Sequence, residues 1–268
     1  MARLGKILVF PIKSLDPIAL NQVQISEGGA LKCDREFALF DQSGNYINAK
    51  RYPQIHLIRA SYDLDERLVN LQIPDHPTHK SYKKVSTFHL DQEQDLLADW
   101  FSQFFGQPVE IRQNAGSGFP DDPDAWGATI ISEATLITVQ SWYIHAPIEL
   151  NQIRDRFRTN LEIIDTEPFW EDHLFAKAGE TVPFRIGDVQ FLGTNPCQRC
   201  PVPTRDPLTG KIYPDFTKIF AKQRQATLPQ QVEKSRFNHF YRLALNTRIP
   251  ITEAGKFLKM GDAVLSPT

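Results

Sequence analysis

Hydrophobic positions in the first ninety residues recur in short alternating runs broken by turn residues, not at helical spacing. "KILVFPI" (6–12) is an apolar run of strand length. "REFALFDQSGNYINAK" (35–50) predicts a hairpin whose turn is "DQSGN", with Gly44 supplying the permissive backbone. "IRASYDLDERLVNLQI" (58–73) repeats the pattern: Ala60, Tyr62 and Leu64 alternate, and after an acidic turn Val69, Leu71 and Ile73 do so again. The period then changes. In "DQEQDLLADWFSQFF" (91–105) Leu96, Trp100 and Phe104 fall at i, i+4 and i+8, with Leu97 and Phe101 alongside, which predicts an amphipathic helix ending before Gly106 and Pro108.

Further on, "NAGSGFPDDPDAW" (114–126) is dense in Gly, Pro and Asp and reads as a loop at a domain boundary. "SEATLITV" (132–139) predicts a helix start with Ser132 as its cap. "LEII", "VPFRIGDVQFLG" and "FLKMGDAVLS" read as strands with tight turns at "IGD" and "MGD", and "DFTKIFAKQRQATL" (215–228) as a helix. The expected fold is α+β and mostly β, with an N-terminal sheet domain over 1–90 and a second domain over 91–268.

A chain of 268 residues can bury a sizeable core without staples, so its three cysteines are not needed for folding. Lys plus Arg (30) nearly balance Asp plus Glu (32), which gives no reason to expect a nucleic-acid or membrane partner; any basic site must be local. The apolar start is broken by Pro11 and Lys13, and no stretch approaches the roughly 20 apolar residues of a spanning helix. The expected location is cytoplasmic, in keeping with an odd and small cysteine count.

Two cysteines lie in "NPCQRCPVPTRDPLTGK" (195–211). One pair is half of a structural zinc set, and Cys33 and the seven scattered histidines do not complete it. A thioredoxin-like pair would open a helix, whereas this one follows a strand and precedes prolines. A buried turn pair and a single ligating thiolate remain as readings. Arg199 directly precedes Cys200, and a neighbouring guanidinium favours the thiolate that binds soft metals, so Cys200 is the better ligand candidate. "PTRDPLTGK" is expected to form a polar turn exposing backbone N–H groups.

"CQRCPVPTRDPLTG" resembles the C-x-R-C…T-x-DP-x-TG signature of MOSC-domain proteins, named after the C-terminal domain of molybdenum cofactor sulfurases. "FPIKSL" (10–15), "CDREFALFDQSG" (33–44) and "AKRYPQI" (49–55) resemble that family's N-terminal companion domain, and "RFRTNLEI" (156–163) and "EPFWEDH" (167–173) the MOSC domain itself. The two-domain layout is similar to the amidoxime-reducing component and its bacterial counterpart that reduces N-hydroxylated bases. The resemblance implies a C-terminal MOSC β-barrel and molybdenum cofactor, Mo-molybdopterin, between the two domains. It implies that Cys200 is the protein ligand to the metal, with Arg199 beside it, and that Lys13, Ser14, Arg35, Asp124, Arg158 and Asn160 reach the phosphate or pterin. Val202 and Pro203 depart from the relatives' Thr-Thr-Val-Asp run, while Glu171 and Asp172 read as capping or Arg-pairing residues.

The activity so implied is reduction of a small N-hydroxylated or N-oxide substrate by oxygen-atom transfer. With no G-x-G-x-x-G fingerprint and no further CxxC set, electrons would come from a separate flavin, haem or iron-sulfur protein. The alternative is a molybdenum cofactor carrier or sulfuration module without organic turnover. Pyridoxal phosphate is not expected, because its Lys belongs to a desulfurase domain that these residues do not include.

Overall fold

The computed structural model describes residues 1–74 and 84–265, which form fifteen strands and four α-helices. The fold is α+β and mostly β, as the alternating pattern predicts. From the N-terminus, β1 (Arg3–Val9) is followed by the short strands β2 (Ile18–Leu20) and β3 (Gln22–Gln24) and by β4 (Phe37–Phe40). Strands β5 (Arg59–Asp63), β6 (Leu68–Gln72) and β7 (Ser86–His89) make an antiparallel sheet. Helix α1 (Gln94–Phe105) leads into β8 (Glu110–Gln113), which pairs with β4. Past the Gly/Pro/Asp-rich loop come β9 (Ile130–Ser132), α2 (Glu133–Ser141), α3 (Leu150–Phe157) and β10 (Leu161–Ile164). The chain continues through β11 (Val182–Ile186), β12 (Val189–Gln198), α4 (Phe216–Ala226), β13 (Arg242–Arg248), β14 (Phe257–Lys259) and β15 (Val264–Leu265).

Eight strands share one curled sheet in the order β15-β11-β12-β13-β9-β10-β1-β2. Its β15 edge meets β1 again: Leu4 N donates to Asp262 O and Val264 N to Ala2 O, each at 2.9 Å. A register shift between Leu4 and Lys6 lets β1 serve both neighbours. The first strand of the chain therefore lies in the sheet built by the C-terminal half. "FLKMGDAVLS" does not fold as one hairpin: β14 pairs with β3 and β15 with β11, because both partners present open edges on opposite sides of the "MGD" turn. The barrel core gathers Leu4, Ile7 and Val9 with Ile130, Leu161, Ile163, Phe191 and Leu245. A second cluster joins Ile12, Phe37, Leu39, Val69 and Leu71 to Leu97, Trp100 and Phe101 of α1.

Helix α1 ends at Gly106, whose φ of 66° makes the left-handed cap that the sequence suggests. Its buried face is Leu97, Trp100 and Phe101, one step around from the expected Leu96–Trp100–Phe104 stripe, and Leu96 is 55% exposed. Ser132 caps α2, its hydroxyl accepting from Thr135 N at 3.1 Å. Beneath the sheet, a 3-10 turn at Trp170–Leu174 packs against β9, β12 and β13. Gly193 of β12 permits this approach, since a Cβ there would lie 1.8 Å from Leu174 O. The turn buries Glu171 and Asp172. Asp172 is ion-paired with Arg224, which is fully buried, while Glu171 accepts from Ser132 N at 3.2 Å and Thr135 Oγ1 at 3.1 Å.

Burial, reinforced by neighbouring Asp172, pushes the Glu171 carboxyl up to about 7. Arg224 makes its contact with Asp172, so Glu171 is the member that keeps a proton. A raised carboxyl pKa stabilises the fold fully below the unfolded value of 4.5, and this contribution is lost as pH rises through about 7. Glu171→Gln is expected to flatten the fall in stability across that window, measured by urea denaturation. Parallel wild-type and variant profiles would exclude it.

Candidate functional site

The segment after β1 crosses from the barrel to β4. Lys13 N donates to Phe37 O at 2.8 Å and Phe37 N to Pro11 O at 3.0 Å, which fixes Lys13 and Ser14 at the seam between the two cores. Lys13 is 6% exposed; its Nζ donates to Phe119 O at 2.8 Å, forms an ion pair with Asp121 and stands 5.2 Å from the Tyr46 ring centroid. Arg35 and Arg158 both adopt left-handed backbone, at φ 49° and 51°, and Arg158 is the C-cap that ends α3. Arg35 is ion-paired with Asp34 and reaches Asn160 Oδ1 at 3.3 Å and Arg158 O at 3.5 Å. Arg158 Nη2 donates to Leu15 O at 2.7 Å. The Phe10 ring packs under both guanidiniums, with centroid distances of 5.1 Å to Arg35 and 4.3 Å to Arg158.

Three cations thus share a small volume. Burial lowers Lys13 and Arg158 from their ordinary values, and the positive charge of Arg35 lowers both further. For Arg35 itself burial acts downward, but Asp34 and Asp121 outweigh it and hold its pKa raised. The protein mass around Asp121 acts to raise its carboxyl, yet Lys13, Arg35 and Arg158 bring it down to about 2.

The thiol loop leaves the end of β12. Cys197 is half-buried and Cys200 exposed. Burial pushes the Cys197 thiol up, against the pull of Arg199, and the nearby Asp121 and Asp122 add to the rise. The Arg199 side chain turns inward: Nε donates to Leu243 O and Nη1 to Phe157 O, each at 3.0 Å, while Nη2 is buried without a hydrogen-bond partner. It fastens the strand end to β13 and to the end of α3. Beyond Cys200, buried Arg156 donates from Nη1 to Pro203 O at 3.0 Å and Arg205 O at 2.5 Å.

The "TRDPLTG" turn differs from expectation, because its N–H groups are bonded internally. Asp206 Oδ1 accepts from Leu208 N at 3.1 Å and Thr209 N at 2.9 Å, and Gly210 N donates to Asp206 O at 2.9 Å. Gly210, at φ +69°, packs close to Pro53 of the N-terminal region. Val202 packs against the N-terminal cluster, so the substituted loop ties the two cores together.

This closed turn, with the exposed Cys200 before it and α3 behind it, lies inside a segment shared with known proteins. Residues 1–108 match the MOSC N-terminal beta barrel domain and residues 130–264 the MOSC domain. The chain belongs to the MOSC-domain family. The curated relatives it matches include molybdenum cofactor sulfurases of Drosophila willistoni, 27% identical over 251 residues (84% of this chain, 30% of that protein), and Drosophila grimshawi, 25% identical over 242 residues (82% and 30%). The Caenorhabditis briggsae sulfurase is 23% identical over 274 residues, covering 95% of this chain and 34% of its own length. This MOSC protein therefore spans about a third of the length of those relatives.

Of the residues singled out from sequence, Lys13, Arg35, Arg158 and Asn160 come together. Asn160 spends its amide on the scaffold, donating to Leu8 O at 3.0 Å and accepting from Thr129 N at 3.1 Å. Ser14 lines a cleft of about 210 Å³ with Asp16, His56, Arg59, Asp155 and Arg158. Burial, with Arg158 nearby, holds His56 at about 4, so its ring is neutral. Asp124 stands apart on the exposed loop, its carbonyl accepting from Arg248 Nε at 2.5 Å. Sequence reasoning missed Asp121 and Asp122; "PDDPDAW" offers several acids, and only the turn geometry shows which one faces Lys13. Among the described residues, no three His, Cys, Asp or Glu side chains gather to hold a metal. No described helix is long and apolar enough to cross a membrane.

Proposed function

We propose that this MOSC protein binds molybdenum cofactor along the seam between its two cores and uses it to reduce small N-hydroxylated or N-oxide compounds. The observation that supports this most is the Lys13–Arg35–Arg158 cluster, whose only direct carboxylate partners among the described residues are Asp34 and Asp121. The relatives' name, molybdenum cofactor sulfurase, favours a role involving that cofactor. The donor set fits the group. A metal at Cys200 would have that thiolate from the protein, and a dithiolene on the bound molecule would supply further soft ligands. The phosphate end of such a molecule suits three clustered cations.

When bound, the cofactor supplies two-electron oxygen-atom transfer. The chain's own residues hold and orient it. Lys13, Arg35 and Arg158, with Ser14 at the cleft wall, bind the phosphate and pterin, and Asn160 keeps Arg35 in place. Arg199 and Arg156 act as positioning residues that lock the segment on either side of Cys200 to α3 and β13. Asp124, which the resemblance places near the cofactor, lies on the same loop as Asp121, the acid that pairs with Lys13. Electrons enter from an external flavin, haem or iron-sulfur protein.

The relatives' name also favours a second reading, a sulfuration or carrier module. Freshly purified protein is expected to contain molybdenum and pterin and to reduce benzamidoxime with reduced viologen as donor. Loaded protein that is inert on a panel of N-hydroxylated and N-oxide compounds, yet reconstitutes an apo-molybdoenzyme, would replace the reductase reading with the carrier.

A further inference from the structure

The carboxylate that meets Lys13 comes from the exposed loop after β8. The Asp121 side chain is 78% accessible, whereas that of its ion-pair partner Lys13 is 8% accessible. Arg35 and Arg158 also feel its charge. Two other nearby acids are committed elsewhere: Asp34 to Arg35 and to Phe10 N at 2.9 Å, Asp16 to Arg59 at 3.2 Å and Ala60 N at 2.9 Å. Both flanks of Asp121 are anchored. Phe119 N donates to Arg35 O at 2.9 Å, and Asp122 Oδ2 accepts from Asn246 Nδ2 at 3.0 Å. Among the described residues the Asp121 side chain has no hydrogen bond except that with Lys13. Its carboxylate can leave by side-chain rotation while the loop stays in place.

We propose that Asp121 is an exchangeable counter-ion of the Lys13–Arg35–Arg158 cluster, displaced by a phosphate-bearing ligand and setting the charge that ligand must bring. With Asp121 turned out, Asp34 is the one carboxylate directly ion-paired with the three cations among the described residues, and a phosphate monoester, near −2 at neutral pH, supplies charge for the other two. A singly charged anion merely replaces what Asp121 already provides. Asp121 thus selects for dianions. This rests on the anion-binding half of the proposed function.

Equilibrium dialysis of inorganic phosphate at about pH 7.5, where the dianion predominates, tests it on the chain produced without pterin. Asp121→Asn is expected to bind phosphate about ten-fold more tightly than wild type, since no internal carboxylate competes. Lys13→Ala added to that variant is expected to abolish the gain. Phosphate binding by Asp121→Asn that equals or falls below wild type would overturn the exchange. Absence of phosphate binding in all three proteins would overturn it together with the anion site. A ten-fold gain in a protein that never acquires molybdenum would sustain the exchange and reject only the cofactor reading.

Discussion

Cys200→Ser is expected to remove molybdenum from this protein and all activity that depends on it, whereas Cys197→Ser keeps most of both. The two thiols are three residues apart but differently placed. Cys200 is exposed, while burial and the nearby Asp121 and Asp122 keep the Cys197 thiol protonated and so a poor ligand. A serine oxygen is a hard donor that ionises far less readily than a thiol, so it cannot replace the soft thiolate. The loss at Cys200 should exceed the roughly 10–100-fold that changes to outer-shell partners cause. Both variants should fold, since the three described cysteines are free and none forms a disulfide. Metal analysis beside circular dichroism reads the two effects separately. Equal metal loss in both variants, or retention in Cys200→Ser, would reject Cys200 as the ligand.

Arg224→Met is expected to cause the largest loss of stability of any single change considered. Arg224 is fully buried, 4.3 Å from the Phe169 ring centroid and 5.1 Å from that of Phe237, and it is the ion-pair partner of Asp172, which is 3% exposed. Its removal leaves the Asp172 carboxylate in a water-poor site with no cation to offset it. Breaking one side of a buried pair costs about 3–5 kcal/mol, which corresponds to a Tm fall of roughly 6–20 °C in a chain of this size. Adding Asp172→Leu should recover part of the loss, because the stranded charge is then gone. A single Arg224→Met variant within about 1 kcal/mol of wild type by urea denaturation would show that the pair is not the support we infer.

Local pattern carried the element types in this chain because the signals are short in range. The alternation at Val69 and Leu71, the Ser132 cap and the Gly106 stop depend on neighbours a few residues away, and each appears where the sequence places it. The family was also legible, since the motifs that hold Lys13 and Arg35 lie within residues 1–108 and those that hold Arg158 and Cys200 within 130–264, the two matched stretches. Periodicity could not determine rotation and partner. The face of α1 depends on what covers it, so Leu96 is solvent-facing where Phe101 is buried. Strand pairing is non-local, so β14 and β15 separate to different sheets and β1 joins the C-terminal barrel.

What the sequence by itself determined about this protein is its composition of short strands, its capped helices and the residue types available for an anion and a soft metal. Only the tertiary structure decided which of those residues meet. It put Asp121, not Asp124, against Lys13, with the Phe119 backbone bonded to Arg35 and the Asp122 side chain to Asn246 on either side. It turned Arg199 into the body of the protein, where the carbonyls of Leu243 and Phe157 accept from its Nε and Nη1, and left Cys200 outside. It also closed the "TRDPLTG" turn on Asp206. Lys13 and Arg199 had to find partners, which lie far along the chain, and the Asp206 turn depends on how the backbone folds in space, so residue spacing alone could not name these contacts.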